Sequence, residues 1–348
     1  MQLKKLLFLL FILSVSTSYI FAQKQYQIID SGTIINEPNF KMYHAVTIVQ
    51  IDKDSLLYAW FAGDHEGAKN VCIWGSYRNL KNKNQFSAPF KLAEGVTSKG
   101  DSMACWNPVL FKSTTGQLFL DYKVGPNPRE WWAERKISLD NGHTWTNPDK
   151  LSDSLLGPIR NKPIQLQNGT ILYPSSTESN DEKKWISHIE NSDKYGKNWK
   201  YLPINCDTFG VIQPSILKYK KGKLQLLMRS RQNVIVSTWS TDNGNNWSKL
   251  QSINLPNPNS GIDAVTLHND LQMLVYNPML AGKDWWMGRA KLKVAISKNG
   301  IDWQDILTLE NHDKGEYSYP AIIEDSNHII HIAYTDDRKN LKFVDVKM

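Results

Sequence analysis

The feature that most constrains the fold is an internal repeat. Six times along the chain, a polar residue and then a small residue or proline open a short apolar run, and a turn separates it from a second apolar run. The six copies begin at successive spacings of 63, 55, 51, 50 and 56 residues, at His44, Asn107, Lys162, Gln213, Asp263 and Tyr319. A repeat of this length is typical of units that stack on their neighbours.

Each copy has the composition of paired β-strands. Segments such as 56–61 and 224–228 are strand-like in length and rich in apolar residues, and no helical periodicity accompanies them. The turns carry residues that tolerate the positive φ of a tight hairpin, namely Asp54, Gly116, Gly169, Gly222, Asn269 and Asn327. We therefore predict an all-β fold, a six-bladed β-propeller with four strands in each blade. Because the last copy is too short for a full blade, we expect residues 26–35 to complete it.

The N-terminal segment has the features of an export signal. Lys4 and Lys5 precede an apolar run from residue 6 to residue 15, and Ala22 supplies a small residue at a cleavage position. We predict a signal peptide over residues 1–22 and a single propeller domain over 23–348, located in the periplasm or secreted. The alternative is a membrane anchor, for which the apolar run is short.

Composition limits the partners. The formal net charge of +7 favours anionic ligands, but the chain has no block of basic residues typical of nucleic-acid binding. We therefore expect no nucleic-acid partner and no membrane span after signal cleavage. The three cysteines, Cys72, Cys105 and Cys206, allow at most one disulfide and do not have the spacing of a zinc site.

The motifs for cofactors are equally limited. We find no phosphate-binding loop, nicotinamide fingerprint or metal-ligand cluster in the sequence, and we predict no cofactor and no metal. His328 and His331 do not form a metal-binding pair in this interpretation, because residues three apart on a strand face opposite sides.

A second motif recurs after four of the copies. Residues 138–145 read SLDNGHTW and residues 240–247 read STDNGNNW, with variants at 192–199 and 297–303. In such a turn the aspartate accepts backbone N–H groups, glycine supplies a positive φ and tryptophan packs the turn against the sheet. We interpret these turns as scaffolding.

These turns on a six-unit repeat resemble the sialidase (neuraminidase) superfamily of Asp-box, or BNR-repeat, propellers. The resemblance covers essentially all of residues 23–348. It implies a site at the propeller axis in which three arginines hold a substrate carboxylate. It also implies a tyrosine nucleophile assisted by a glutamate, and an aspartate that acts as acid and base.

The resemblance assigns roles to particular residues. Arg229, with its neighbour Arg231, matches the second arginine of the family, and Arg289 matches the third. Tyr317 matches the nucleophile, and the acid/base candidates are Asp64 and Glu66. Two positions depart from the pattern: His44 stands where the family has its first arginine, and Gln213 stands where it has the glutamate.

The two departures change the expected chemistry. A phenol is a poor nucleophile unless a base takes its proton, and the Gln213 amide cannot do so. His44, unlike arginine, can ionise near neutral pH. Removal of the C5 proton of a uronate needs an arginine to neutralise the carboxylate, a base such as histidine or tyrosine, and an acid for the leaving oxygen. We therefore predict elimination, by a lyase or dehydratase, at the non-reducing end of acidic oligosaccharides from polysaccharide breakdown.

Two other functions stay open. One is retaining hydrolysis by a sialidase-like exo-glycosidase, and the other is a carbohydrate-binding propeller without activity. In each case the residues that open the first strand of a blade should converge on one mouth of the axis. The resulting candidates for substrate binding, beyond the arginines above, are Arg160, Lys162, Asn107, Asp263 and Tyr319.

Overall fold

The computed structural model describes residues 26–82, 85–284 and 286–348. Within these residues, six antiparallel four-stranded sheets and one two-stranded ribbon are present. The six sheets are the blades of a β-propeller, which confirms the predicted fold class. The predicted signal peptide lies outside the described residues.

The first three blades follow in chain order after β1 (Gln27–Thr33). Blade 1 consists of β2 (Met42–Asp52), β3 (Ser55–Gly63), β4 (Cys72–Asn79) and β5 (Phe90–Ala93). The ribbon of β6 (Gly95–Val96) and β7 (Ser102–Met103) leads to blade 2, which consists of β8 (Cys105–Lys112), β9 (Leu118–Val124), β10 (Trp132–Ser138) and β11 (Asp149–Lys150). Blade 3 consists of β12 (Ile164–Gln165), β13 (Ile171–Glu178), β14 (Trp185–Ser192) and β15 (Lys200–Pro203).

The last three blades complete the ring. Blade 4 consists of β16 (Val211–Lys218), β17 (Leu224–Ser230), β18 (Val234–Ser240) and β19 (Gln251–Pro256), with a 3-10 turn (Lys220–Gly222) in its first hairpin. Blade 5 consists of β20 (Asp263–Thr266), β21 (Gln272–Tyr276), β22 (Lys291–Ser297) and β23 (Gln304–Asn311). Blade 6 consists of β24 (Tyr317–Glu324), β25 (Ile330–Asp336), β26 (Asn340–Lys347) and β1.

The two ends of the chain close the ring within blade 6. Strand β1 pairs antiparallel with β26, from Gln27 opposite Lys347 to Thr33 opposite Lys342, as the length of the last repeat predicted. The buried guanidinium of Arg78 in blade 1 then donates to Asp30 on β1 and to Asp345 on β26. This ion pair fastens the closing blade to its neighbour.

The hydrophobic core is divided into slabs between neighbouring blades. One cluster, which includes Phe61 and Leu120, joins blades 1 and 2. Another, which includes Val294 and Ile332, joins blades 5 and 6. Because each blade buries its faces against the next, the described residues form one continuous ring of packed sheets.

The motif turns join the third and fourth strands of their blades, and their bonds are local. Asp140 accepts the Thr144 hydroxyl at 2.6 Å, the backbone N–H of Thr144 at 2.8 Å and the Ser138 hydroxyl at 2.8 Å. These bonds lower the pKa of Asp140 to about 2. In the variant turn the same role falls one place earlier, to Asp193, which accepts the N–H of Lys197 at 3.0 Å. The interpretation of these turns as scaffolding agrees with this bonding.

A two-residue bulge interrupts the first strand of four blades. In β24, Ser318 pairs with Thr335 and Ala321 with Ala333, so that Tyr319 and Pro320 bulge out of the ladder. Tyr319 has φ 52°, and the equivalent bulge residues Ala45, Asn107 and Gln213 have φ 54°, 42° and 55°. His44 therefore lies one residue before the position shared by the other three. The sequence alignment of the repeats was wrong by one residue in blade 1.

Within the described residues, the cysteines are all free thiols, and no helix is long and apolar enough to cross a membrane.

Candidate functional site

Tyr319 lies at the centre of a cluster of polar side chains at one mouth of the axis. Its half-buried hydroxyl accepts a hydrogen bond of 2.8 Å from Nη1 of Arg229. The same Nη1 donates to Oε1 of Gln213 at 3.1 Å, and Nε of Arg229 donates to Oδ1 of Asn259 at 3.0 Å. Acceptors from three separate parts of the propeller therefore hold the Arg229 guanidinium in one orientation.

Further cations surround the Tyr319 ring. The Cζ atoms of Arg160, Arg229 and Arg289 lie 5.5, 5.7 and 5.9 Å from its centroid. A guanidinium within about 6 Å of an aromatic centroid is attracted by the ring quadrupole. The structure thus brings together two arginines that the resemblance singled out, Arg160 from beside an inner repeat, and the strand-opening Tyr319.

His44 is also in the cluster, but it is fully buried. Its ring lies 4.2 Å from the Tyr319 ring, and Nδ1 shares a hydrogen bond of 2.9 Å with the Thr335 hydroxyl. Burial, followed by the nearby positive charges of Arg338 and Arg289, holds the pKa of His44 well below its ordinary value. His44 is neutral at neutral pH, and the expectation that it ionises there is wrong because solvent does not reach it.

A chain of four charges borders the cluster. Glu316 accepts from Nη1 of Arg289 at 2.8 Å and from Nε of Arg338 at 2.9 Å, and Arg338 also pairs with Glu66. The two guanidinium groups lower the pKa of Glu316 despite its burial. Glu66 is therefore in contact with the cluster through Arg338. The Arg338 side chain is 21% exposed, whereas the Arg289 side chain is 1% exposed.

Sequence reasoning missed Arg338 and Glu316. Arg338 lies in the turn between β25 and β26, outside the strand openings that the repeat pointed to. Glu316 directly precedes the Tyr-Ser segment that was singled out. One signal was present: the resemblance implies three arginines, and His44 stands where the first of them is expected.

Tyr317 is not part of the cluster. Its ring stacks on His312 with centroids 4.4 Å apart and packs into the core between blades 5 and 6. Burial raises its pKa. The tyrosine that faces the arginines is Tyr319, so the assignment of the central tyrosine from the Tyr-Ser segment was wrong by two residues.

Lys162, Asp263 and Arg160 cross-link the axis. Nζ of Lys162 lies 2.8 Å from Oδ2 of Asp263, and Asp263 also accepts from the Ser215 hydroxyl at 2.7 Å. Arg160 donates to backbone carbonyl oxygens of Val46 and Pro320, and burial lowers its pKa to about 10. Asp263 and Arg160 are each only 2% exposed. We infer that these three side chains hold blades together at the axis, and that Arg160 does so from beside the Tyr319 ring.

The remaining candidates lie around the rim or below it. Asn107 is buried at the bulge of β8, and Asp64 is exposed and pairs with Lys41 at 3.2 Å. Arg231 is exposed, and its Cζ lies 5.2 Å from the ring of Trp185.

Trp185 was not singled out from the sequence. The Cζ atom of Arg229 also lies 5.2 Å from the Trp185 ring. The indole therefore lies next to two guanidinium groups, that of Arg229 in the cluster and that of the exposed Arg231. Trp185 also lines a groove of ≈ 850 Å³ between blades 3 and 4. A partly exposed indole next to a groove is a surface on which a sugar ring can stack.

The arrangement favours a carboxylate ligand. Arginine forms charge-assisted bidentate bonds with carboxylates, and the half-buried hydroxyl of Tyr319 provides one group able to carry a proton. The one group of three possible metal-ligating side chains among the described residues, His268, Glu324 and His328, lies away from this cluster.

Solved structures share this fold. A Dyadobacter fermentans protein of unknown function superposes with a TM-score of 0.75 and 14% identity over 93% of this chain and 99% of that one. The NanB sialidase of Streptococcus pneumoniae superposes with a TM-score of 0.71 and 13% identity, over 93% of this chain and 71% of that one. A mutant Trypanosoma rangeli sialidase displaying trans-sialidase activity superposes with a TM-score of 0.70 and 16% identity, over 92% of this chain but only 57% of that one.

Sequence comparison adds the family. The search of curated proteins finds no match to this chain. The model of the BNR repeat-like domain matches residues 54–332, well over half of the chain. These residues span most of the propeller, from the first hairpin of blade 1 to the second strand of blade 6, and the chain belongs to the BNR repeat-like domain family.

Proposed function

We propose that this protein is a carbohydrate-active enzyme that binds the non-reducing end of an acidic oligosaccharide at the Tyr319 mouth and acts on it by elimination, as a lyase or a dehydratase. One observation carries the proposal: Nη1 of Arg229 donates both to the Tyr319 hydroxyl and to the side chain of Gln213. The group beside the tyrosine is therefore an amide and not a carboxylate. The positive charge suits an acidic sugar, and the amide removes the base on which a tyrosine nucleophile depends.

Each step of an elimination has a group at this mouth. Arg229 and the more exposed Arg338 offset the charge of the substrate carboxylate, which makes the proton on the adjacent carbon easier to remove. In a uronate, the C5–H and C4–O bonds break, the C4–C5 double bond forms, and the leaving oxygen takes up a proton. We assign both proton transfers to Tyr319: its oxygen, in the phenolate form, takes the proton from C5 and then passes that proton to the leaving oxygen, which regenerates the phenolate.

His44 acts on the substrate only through Tyr319. It is buried and neutral, and its ring lies against the tyrosine while the Thr335 hydroxyl holds its Nδ1. We therefore assign it the role of a positioning residue, not of the base expected from the sequence.

A second candidate is retaining hydrolysis of a sialic-acid-like glycoside. A tyrosine ringed by arginines, on the fold shared with the two sialidases above, favours it. Gln213 argues against it, because an amide cannot accept the phenolic proton.

The test is incubation with acidic oligosaccharides, read by mass spectrometry, ultraviolet absorbance and assay of new reducing ends. Elimination produces the absorbance of a double bond conjugated to the carboxylate, and a dehydratase releases water without cleavage. Hydrolysis produces reducing ends without that absorbance, together with a Tyr319 adduct trapped by a fluorinated sugar. Binding without any product would identify a carbohydrate-binding propeller.

Two tyrosine variants test the assignment within the site. Tyr319→Phe should lower turnover by about 10² to 10⁴-fold, the usual contribution of a proton-transfer group, with substrate binding nearly intact. Tyr317→Phe is the matched control, because Tyr317 lies in the core between blades, and its activity should stay close to that of the wild type. Equal losses in both variants would contradict the assignment.

We also propose that the protein acts after export, on oligosaccharides outside the cytoplasm. The support is the basic and apolar character of residues 1–22. N-terminal sequencing of the exported protein should find a start near Gln23, and a start at Met1 would contradict it.

A further inference from the structure

We propose that His268, Glu324 and His328 form a binding site for one divalent transition metal ion of the zinc type, which links blades 5 and 6. The three side chains each offer a ligand atom, and these atoms all lie within 4.8 Å of one another. The site is independent of the function proposed above and lies at the other end of the blades.

The distances fit a small tetrahedral ion. Nδ1 of His268 and Nδ1 of His328 lie 2.5 and 3.6 Å from Oε1 of Glu324. In a tetrahedral zinc site with bonds of about 2.0 to 2.1 Å, neighbouring ligand atoms are about 3.3 Å apart. The two observed separations bracket this value, so small side-chain rotations would admit the ion.

The surroundings hold the ligands in place. Oε2 of Glu324 accepts the backbone N–H of His268 at 2.7 Å, which orients the carboxylate and leaves Oε1 toward the imidazoles. The two imidazole rings stack on each other, with centroids 3.7 Å apart and an interplanar angle of 28°. The side chain of Glu324 is 8% exposed, whereas the side chains of His268 and His328 are 40% and 55% exposed, so an ion can enter from solvent. Two histidines and one carboxylate with an open fourth position are a known ligand set for zinc.

The backbone position of His328 is unusual for its side chain. His268 and His328 lie in the hairpin turns that follow the first strands of blades 5 and 6. His328 has φ 63°, and the matching turns of blades 2 and 3 place glycine at positive φ, at Gly116 and Gly169. A residue with a side chain in this conformation costs energy that glycine does not, and the side chain of His328 faces His268 of the neighbouring blade 5.

The ion would cross-link blades 5 and 6. Blade 6 is the closing blade, built from both ends of the chain, and the three ligands come from two blades that meet at its inner edge. Tyr319 and Glu324 lie five residues apart on β24, which corresponds to at most roughly 17 Å along a regular strand and to somewhat less here because of the bulge at Tyr319 and Pro320. The ion is therefore too far from the mouth to contact a substrate there, and its expected effect is on stability.

The sequence analysis did not consider this group of side chains. It considered His328 only with His331, and the structure pairs His331 with Asp325 and Asp345 instead. The true neighbour of His328 is 60 residues earlier in the sequence, in the adjacent blade.

The experiment is zinc titration of the full-length folded protein after treatment with a chelator. We expect one Zn²⁺ per chain by calorimetry. We also expect a rise in Tm of about 5 °C at a hundredfold excess over Kd, and visible absorption typical of tetrahedral coordination when Co²⁺ replaces zinc. Absence of Zn²⁺ binding by the wild-type protein would overturn the proposal.

Variants separate this site from adventitious binding. His328→Asn, which tolerates the positive φ, and Glu324→Gln should each weaken binding by about 10²-fold or more and remove the rise in Tm. The matched control is His312→Asn, because His312 is also paired with a glutamate, Glu310 at 2.6 Å, but has no second histidine. If zinc binding survives unchanged in both site variants, or is lost in the control, the assignment is wrong.

Discussion

Replacement of Glu316 by glutamine should destabilise the protein, and this can be measured without knowledge of the substrate. Glu316 is the middle member of the charge chain, with guanidinium donors on both carboxylate oxygens and the Ser318 hydroxyl on one of them. Glutamine keeps the size of the side chain. It replaces one acceptor oxygen with an NH2 group that faces a donor.

The expected magnitude follows from burial. The Glu316 side chain is 16% exposed and the Arg289 side chain 1%, so the pair is largely removed from water. Loss of one partner from a buried ion pair costs about 3 to 5 kcal/mol. Arg338 retains Glu66, and Arg289 retains the carbonyl of Asn259, which places the expected loss at the lower end, about 3 kcal/mol.

The assay is urea unfolding of wild type and variant, at neutral pH and in acid. The folded-state pKa of Glu316 is lowered, so its contribution is fully present above the unfolded-state value of about 4.3. It disappears as the pH falls through the lower, folded-state pKa. The difference between the two proteins should therefore be constant near neutrality and shrink in acid below that window.

Glu66→Gln is the matched control. Glu66 pairs with the same Arg338, but its side chain is 34% exposed, and an exposed pair contributes less than about 1 kcal/mol. If Glu316→Gln costs no more than Glu66→Gln, or if the difference does not change in acid, the description of Glu316 as a buried link between two arginines is refuted.

Three further predictions concern the mouth and the axis. The His44 ring resonances should not titrate between pH 6 and 8 in NMR spectra, because the pKa is lowered below that range; an inflection near 6.5 would contradict the burial described here. Arg229→Lys keeps the charge but loses the planar fork and should reduce activity by about 10²-fold, on the order of 3 kcal/mol in kcat/KM; unchanged kinetics would remove Arg229 from the site. Asp263→Asn should lower the unfolding free energy by about 3 kcal/mol, because the buried carboxylate is the partner of Lys162, and a loss below 1 kcal/mol in urea titration would show that this pair does not hold the axis together.

The sequence alone determined the fold. A repeat of 50 to 63 residues, strand-like apolar runs and turn residues that tolerate positive φ are local properties, and each is visible in the order of the residues. The closure of blade 6 by residues 26–35 followed from counting residues in the last repeat. The expectation that residues opening the first strands meet at one mouth also followed, because the first strand of every blade lies at the axis.

Only the tertiary structure decided which side chains meet there. The direction of a side chain on a strand reverses with each residue, and the bulge at Tyr319 and Pro320 changes that phase by an amount set by pairing with β25. The sequence shows both Tyr317 and Tyr319 but not the bulge, so the wrong tyrosine was chosen.

Contacts between distant segments were equally beyond the sequence. Arg338 reaches Glu66 across 272 residues, and His268 meets His328 from the neighbouring blade. The protonation of His44 depends on burial and on arginines from other blades, which no local pattern records. Local patterns specify strands and turns. The protonation states, solvent access and hydrogen-bond partners of the side chains at this mouth are set only when the propeller closes and brings the blades together.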